Sequence, residues 1–217
     1  MTHTLPRESG GVDRRSVLKG GLLIGLGASV IGAASPGLSG VADAAVAPNP
    51  QPNWWWCSDC DGLFFSNANG APNGVCQSEF APNGKHNSSG SSNYSVLNGE
   101  SSSSNRQAGW RWCKLCQLLF WGNGAANSAC PANSGTVIGG QIQVGPHIIG
   151  SSTVYDLVFG VTAPGDQLNW RWCNLCQGIF WGPRQSNSAC TGTERHDQFG
   201  NHSIGSSTNY DMIFTFG

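Results

Sequence analysis

From residue 54 to the C-terminus, apolar and polar positions alternate in short runs, and no helical period of useful length appears. "NWRWC" at 169–173 puts Trp170 and Trp172 on one face and Asn169, Arg171 and Cys173 on the other, as a strand does. A two-residue gap and Cys176 follow, then the apolar run Ile179, Phe180, Trp181, so the pattern predicts a hairpin with a Cys-x-x-Cys turn at its tip. Glycine and serine turns, "SGSSN", "GSSTV" and "GSSTN", precede final strands over 94–97, 155–159 and 210–214. The expected fold class is all-β, built from small hairpins joined by loops rich in Asn, Ser and Gly.

The same phrase occurs three times, as "NWWWCSDCDGLFFS" at 53–66, "GWRWCKLCQLLFWG" at 109–122 and "NWRWCNLCQGIFWG" at 169–182. Superposed, the copies align Cys57, Cys113 and Cys173 in one column and Cys60, Cys116 and Cys176 in the next. A third cysteine follows in each, at Cys76, Cys130 and Cys190, which accounts for all 9 in the chain. Each copy continues to a histidine with a tyrosine eight residues beyond: His86 and Tyr94, His147 and Tyr155, His202 and Tyr210. The gap between third cysteine and histidine varies, so the constant His to Tyr step is not imposed by copy length. Three tandem modules are expected, at 54–105, 106–165 and 166–217.

Three cysteines and one histidine make a complete tetrahedral ligand set for zinc. The predicted ligands are Cys57, Cys60, Cys76 and His86; Cys113, Cys116, Cys130 and His147; and Cys173, Cys176, Cys190 and His202. Disulfide or thiol-redox chemistry is the alternative, but three thiols per copy do not pair within a module and 9 in all leave one over. Four protein ligands close a site, which points to structural zinc; a catalytic zinc keeps one position for water. Such a site contributes on the order of 10 kcal/mol to folding, as a module with so little core requires.

The N-terminal part has a different composition. Arg14 and Arg15 precede an apolar, glycine-rich run from Gly20 to Ala34 and then the small residues Ala42, Asp43 and Ala44. The run is shorter than the roughly 20 residues a membrane-spanning helix needs. It reads as a leader over 1–44 that is removed, leaving no stable membrane span, and 45–53, with Pro48, Pro50 and Pro52, reads as an extended tether. Residues 1–44 hold four of the 11 Lys and Arg and three of the 12 Asp and Glu, so the remainder carries a net charge near minus two. That balance offers no electrostatic footprint for nucleic acid.

All 9 tryptophans lie in the modules, three per copy. Trp56, Trp112 and Trp172, next to the first cysteines, are expected in the core. Trp54, Trp110 and Trp170, with Trp121 and Trp181, are candidates for a flat platform under a sugar ring or another apolar partner, and Arg111 and Arg171 are candidates to stack over an indole. One polar cluster outside the repeat, Glu194, His196 and Asp197, offers proton transfer in a loop of the third module. No phosphate loop, nucleophile elbow or repeated carboxylate pair is present.

The run Arg14, Arg15, Ser16, Val17, Leu18, Lys19 resembles a twin-arginine export signal. That resemblance implies export of an already folded protein, with metal inserted where thiols stay reduced, to the cell envelope or beyond. From Trp54 onward the chain resembles the tryptophan-and-cysteine repeats of form WxWCxxCQ…F found in exported bacterial proteins of no settled activity, and loosely the zinc ribbons. The resulting expectation is a secreted, zinc-stabilised protein that holds a polysaccharide or cell-surface protein through aromatic surfaces. The competing expectations are a hydrolase using His196 and Glu194 or an open zinc site, and an extracellular metal-binding or thiol-redox protein.

Overall fold

A computed structural model describes residues 49–67, 69–99, 102–138, 141–161, 166–195 and 198–214. The leader at 1–44, residues 45–48 of the tether, and His196 and Asp197 of the polar cluster lie outside the described residues. Among the described residues no helix is long and apolar enough to cross a membrane.

The first module contains β1 (Asn49–Trp56), β2 (Leu63–Phe65) and β3 (Asn93–Asn98). The second contains β4 (Arg106–Trp112), β5 (Leu119–Trp121), β6 (Ser134–Ile138), β7 (Gln141–Val144) and β8 (Tyr155–Phe159). The third contains β9 (Gln167–Trp172), β10 (Ile179–Trp181), β11 (Cys190–Arg195), β12 (Gln198–Gly200) and β13 (Tyr210–Phe214). The predicted hairpins are β1–β2, β4–β5 and β9–β10, with Trp54 opposite Phe65, Trp110 opposite Trp121 and Trp170 opposite Trp181.

The modules are not separate beads. Each first strand pairs with the final strand of its own module, β1 with β3, β4 with β8 and β9 with β13. The three final strands also pair with one another, through Leu97 opposite Asp156, Ile213 opposite Ser95 and Tyr210 opposite Phe159. The result is a nearly closed, antiparallel, barrel-like sheet with pseudo-threefold repetition. Closure pairs strand edges that an isolated three-stranded module would leave open.

Twelve buried side chains fill the centre in four sets of three: Trp54, Trp110 and Trp170; Leu63, Leu119 and Ile179; Tyr94, Tyr155 and Tyr210; Val96, Leu157 and Met212. Each tryptophan meets the tyrosine of the next module edge-on, Trp54 with Tyr155 at 5.2 Å, Trp110 with Tyr210 at 5.4 Å and Trp170 with Tyr94 at 5.6 Å. The tyrosine hydroxyls donate across the same junctions, Tyr155 to Gln51 Oε1 at 2.8 Å, and Tyr210 to Gln107 and Tyr94 to Gln167 likewise.

The sheet also takes in Asn49–Asn53, which the proline spacing marks as tether. Asn49, Pro50 and Gln51 pair only with β3, and prolines are tolerated where the other edge of a strand is unpaired. A register shift follows between Gln51 and Trp54, around Asn53 in the left-handed region at φ 71°. Gly109 and Asn169 hold the same place in the other modules, at φ 107° and 73°. This bulge interrupts the simple alternation that the sequence pattern predicts.

Candidate metal centres

Each Cys-x-x-Cys segment is a tight knuckle. In the first, the Cys57 amide donates to the Gly62 carbonyl and the Asp61 amide to the Cys57 carbonyl, both at 2.9 Å. Cys113 with Leu118 and Gln117, and Cys173 with Gly178 and Gln177, repeat the arrangement within 0.1 Å. Asp61, Gln117 and Gln177 close the knuckles at φ 63°, 70° and 66°, which turns the chain sharply enough for both thiols to face one point.

The third cysteine and the histidine come from the loops that follow each hairpin, and all twelve predicted ligands converge. Cys57, Cys60, Cys76 and His86 form one group, Cys113, Cys116, Cys130 and His147 the second, and Cys173, Cys176, Cys190 and His202 the third. Ligand atoms within a group lie within 4.8 Å of one another, and every residue is buried. Each group could hold a metal ion.

The spacings are informative. The Sγ atoms of Cys57 and Cys76, Cys113 and Cys130, and Cys173 and Cys190 are 3.8, 3.7 and 3.6 Å apart. A tetrahedral zinc with Zn–S of about 2.3 Å and Zn–N of about 2.0 Å has S–S edges of about 3.8 Å and S–N edges of about 3.5 Å. The observed Sγ to histidine Nδ1 distances are 3.5, 3.3 and 3.5 Å, for Cys60 with His86, Cys116 with His147 and Cys176 with His202. All nine cysteines are free, and a disulfide requires sulfurs about 2.05 Å apart.

Protonation points the same way. Burial pushes the Cys60 and Cys116 thiols well above their ordinary range. Hydrogen bonds from Cys176 and Cys190 draw the Cys173 thiol well below it. Burial pulls the His202 imidazole down, but the adjacent Cys173 and Cys190 outweigh it and leave it at about 10. In each group one thiol, Cys57, Cys113 or Cys173, is drawn down while the second cysteine of the same knuckle is pushed up, and a bound divalent cation would stabilise the thiolate form of both in this dry interior. Amide donors support the sulfurs, Asn87 and Ser203 reaching Cys57 Sγ and Cys173 Sγ at 3.4 Å.

In the first and third groups the histidine Nε2 faces a backbone carbonyl, which only accepts, so this nitrogen carries a proton. His86 Nε2–H donates to the Cys116 carbonyl at 2.9 Å and His202 Nε2–H to the Cys60 carbonyl at 3.1 Å, each a ligand residue of a neighbouring module. Each imidazole also stacks on a phenylalanine of its own module, Phe64, Phe120 or Phe180, at 4.9, 4.6 and 4.5 Å between centroids.

The candidates for ligand contact sort differently from the sequence expectation. Trp54, Trp110 and Trp170 are 0% exposed, which corrects their reading as a platform: an indole enclosed by a neighbouring tyrosine and its own hairpin partner has no face for an outside ring. Trp56, Trp112 and Trp172, expected inside, are partly exposed at the edge of the core, as are Trp121 and Trp181. All the residues in both sets lie on the hairpin strands; distance from the closing strands decides which are enclosed. Arg111 donates to the Ser152 and Thr153 carbonyls at 2.8 and 3.0 Å, and Arg171 to Ser207 and Thr208 at 2.9 and 3.2 Å. Both arginines fasten the Gly-Ser-Ser-Thr turns of their own modules, in place of stacking over an indole.

Two features were not singled out from the sequence. Gln51, Gln107 and Gln167 stand three residues before Trp54, Trp110 and Trp170, a column that extending the repeat alignment toward the N-terminus would have exposed. Asp61, where the other modules have Gln117 and Gln177, is fully buried and lies 3.4 Å from Arg184 Nε. Burial raises its carboxyl to about 6 although Arg184 draws it down. Arg184 also sits 5.0 Å over the Trp56 ring, so the junction of the first and third modules is clamped by charge.

Comparison with protein-family models, with curated proteins and with solved structures returns no match to this chain.

Proposed function

We propose that this chain is an exported, zinc-stabilised binding protein that holds a polysaccharide or a cell-surface protein through aromatic side chains at its module junctions. The observation that carries the metal half of this reading is the set of three buried Cys3His groups with tetrahedral spacing. Four protein ligands leave no position for substrate water, so the zinc is structural. It ties the loop after each hairpin to the hairpin tip. The export half rests on the Arg14–Arg15 leader, and folding before export fits a reduced thiolate site.

The binding half rests on what the core leaves at the rim. Phe65 of the first module and Trp112 of the second, 6.3 Å apart between centroids, flank a groove of about 300 Å³ whose polar lining includes Asn67, Asn73 and Gln117. Aromatic faces beside amides suit a sugar ring, which presents C–H groups on its faces and hydroxyls around its edge. The test is retention of the zinc-loaded protein on insoluble polysaccharides, alongside Trp112→Ala. Retention that falls at least tenfold in the variant, with zinc content unchanged, supports the reading; equal retention of both proteins, or none of either, removes the carbohydrate role.

A further inference from the structure

The three metal groups are joined to one another by hydrogen bonds that begin or end on ligand residues or their immediate neighbours. His86 of the first group donates to the carbonyl of Cys116 in the second, and His202 of the third to the carbonyl of Cys60 in the first. A second set runs next to the third cysteines. Gln77 Nε2 donates to the Ala189 carbonyl at 2.7 Å, and Thr191 Oγ1 to the Ala129 carbonyl at 2.7 Å. These residues adjoin Cys76 with Cys190, and Cys190 with Cys130.

A backbone ring completes the pattern. The Phe65 amide donates to the Gln117 carbonyl at 3.0 Å, Trp121 to Gln177 at 2.8 Å and Trp181 to Asp61 at 2.9 Å. Every acceptor is the residue directly after the second cysteine of a knuckle. Each pair of sites is therefore bridged at least twice, and no knuckle is fixed by its own module alone.

We infer that the three sites fill and empty as one cooperative unit, an ion at one site ordering ligand residues of the other two. This rests on the metal reading above. An ion that fixes the His86 ring through Nδ1 aims its Nε2–H at Cys116 and so holds the second knuckle in its ligating shape. The ordering of the junctions is borne largely by the first ion, and later ions meet preformed ligands. By linkage the effect is reciprocal, so removing one ion loosens the others. The coupling is uneven. His147 Nε2 has no hydrogen-bond partner among the described residues, and Pro131, at the place of Gln77 and Thr191, has no side-chain donor. The second site receives these side-chain bonds and donates none, so its filling depends most on the other two.

Native mass spectrometry of the full chain, titrated with zinc in a chelator buffer, reads the distribution of ions per chain. Equal independent sites would place about three quarters of the chains in one-ion and two-ion states at half saturation. The coupled ring predicts that these states are minor and that empty and fully loaded chains dominate. His86→Cys keeps four ligands but removes the Nε2–H donor, and Thr191→Val removes the link to Ala129. Either should raise the intermediate states and weaken the last ion bound by about 10-fold or more, the size of outer-shell effects on metal affinity. A statistical distribution in the unaltered protein, or variants that match it, overturns the coupling while leaving the metal reading intact. No uptake of zinc at all overturns both.

Discussion

Replacing Trp54 with alanine separates the assignment of the inner tryptophans to the core from their use as a binding surface. The side chain is 0% exposed, 5.2 Å from Tyr155 and 5.3 Å from Phe65 between ring centroids. Burial of a Trp removes about 150–250 Å² from water, worth about 4–6 kcal/mol at ~25 cal/mol per Å². Large-to-small substitutions of buried aromatics cost about 3–5 kcal/mol, since partial collapse recovers some of the loss. Trp112→Ala removes a partly exposed ring and one hydrogen bond, Nε1–H to Gln117 Oε1 at 3.0 Å, and is expected to cost about 1–2 kcal/mol. Urea unfolding of the two variants at a fixed free zinc concentration, followed by circular dichroism, measures the difference. Trp54→Ala should be the less stable by about 2 kcal/mol or more. A Trp54→Ala cost below about 1 kcal/mol, or a reversed order, would refute the core assignment.

Further outcomes follow from individual contacts. Tyr155→Phe deletes the hydroxyl that donates to Gln51 across a module junction and should lower stability by about 1 kcal/mol in the same unfolding assay, with metal content unchanged. Arg111→Ala should loosen the 151–153 turn, seen as faster amide hydrogen exchange there, and leave retention on polysaccharide unaltered. Gly74→Ala places a Cβ 2.2 Å from the Cys116 carbonyl oxygen at a φ of +66°, so calorimetry should show a lower melting temperature and the second metal site should be weakened. Acidification should release metal, because protons compete for the thiolates and the imidazole; affinity is retained at neutral pH and falls as pH drops, a trend that a zinc-sensitive dye reads directly.

The ligand sets were legible in the sequence because metal ligands must recur in full in every copy, whatever the loop lengths between them. The hairpins were legible too, since Trp170 to Trp181 carries its alternation and its turn in one contiguous stretch. Closure was not legible: which final strand pairs with which is decided by contacts between modules, and Leu97 facing Asp156 leaves no local pattern. The same gap explains the tryptophans. Trp54 and Trp56 share a strand and an alternation, yet Trp54 lies under Tyr155 of another module while Trp56 ends at a junction where its Nε1–H needs Asp61 at 2.9 Å. Arg111 misled for a different reason. A cation between tryptophans suggests stacking, whereas the turn carbonyls of Ser152 and Thr153 offer it stronger partners.

Zinc content measured together with zinc K-edge absorption on the purified protein tests the central claim most directly. The account predicts three zinc ions per chain, an average shell of three sulfurs at about 2.3 Å and one nitrogen at about 2.0 Å, and nine cysteines unoxidised by mass. Oxygen in the first shell, or a chain without metal whose mass has fallen by the hydrogens lost to disulfides, would contradict it.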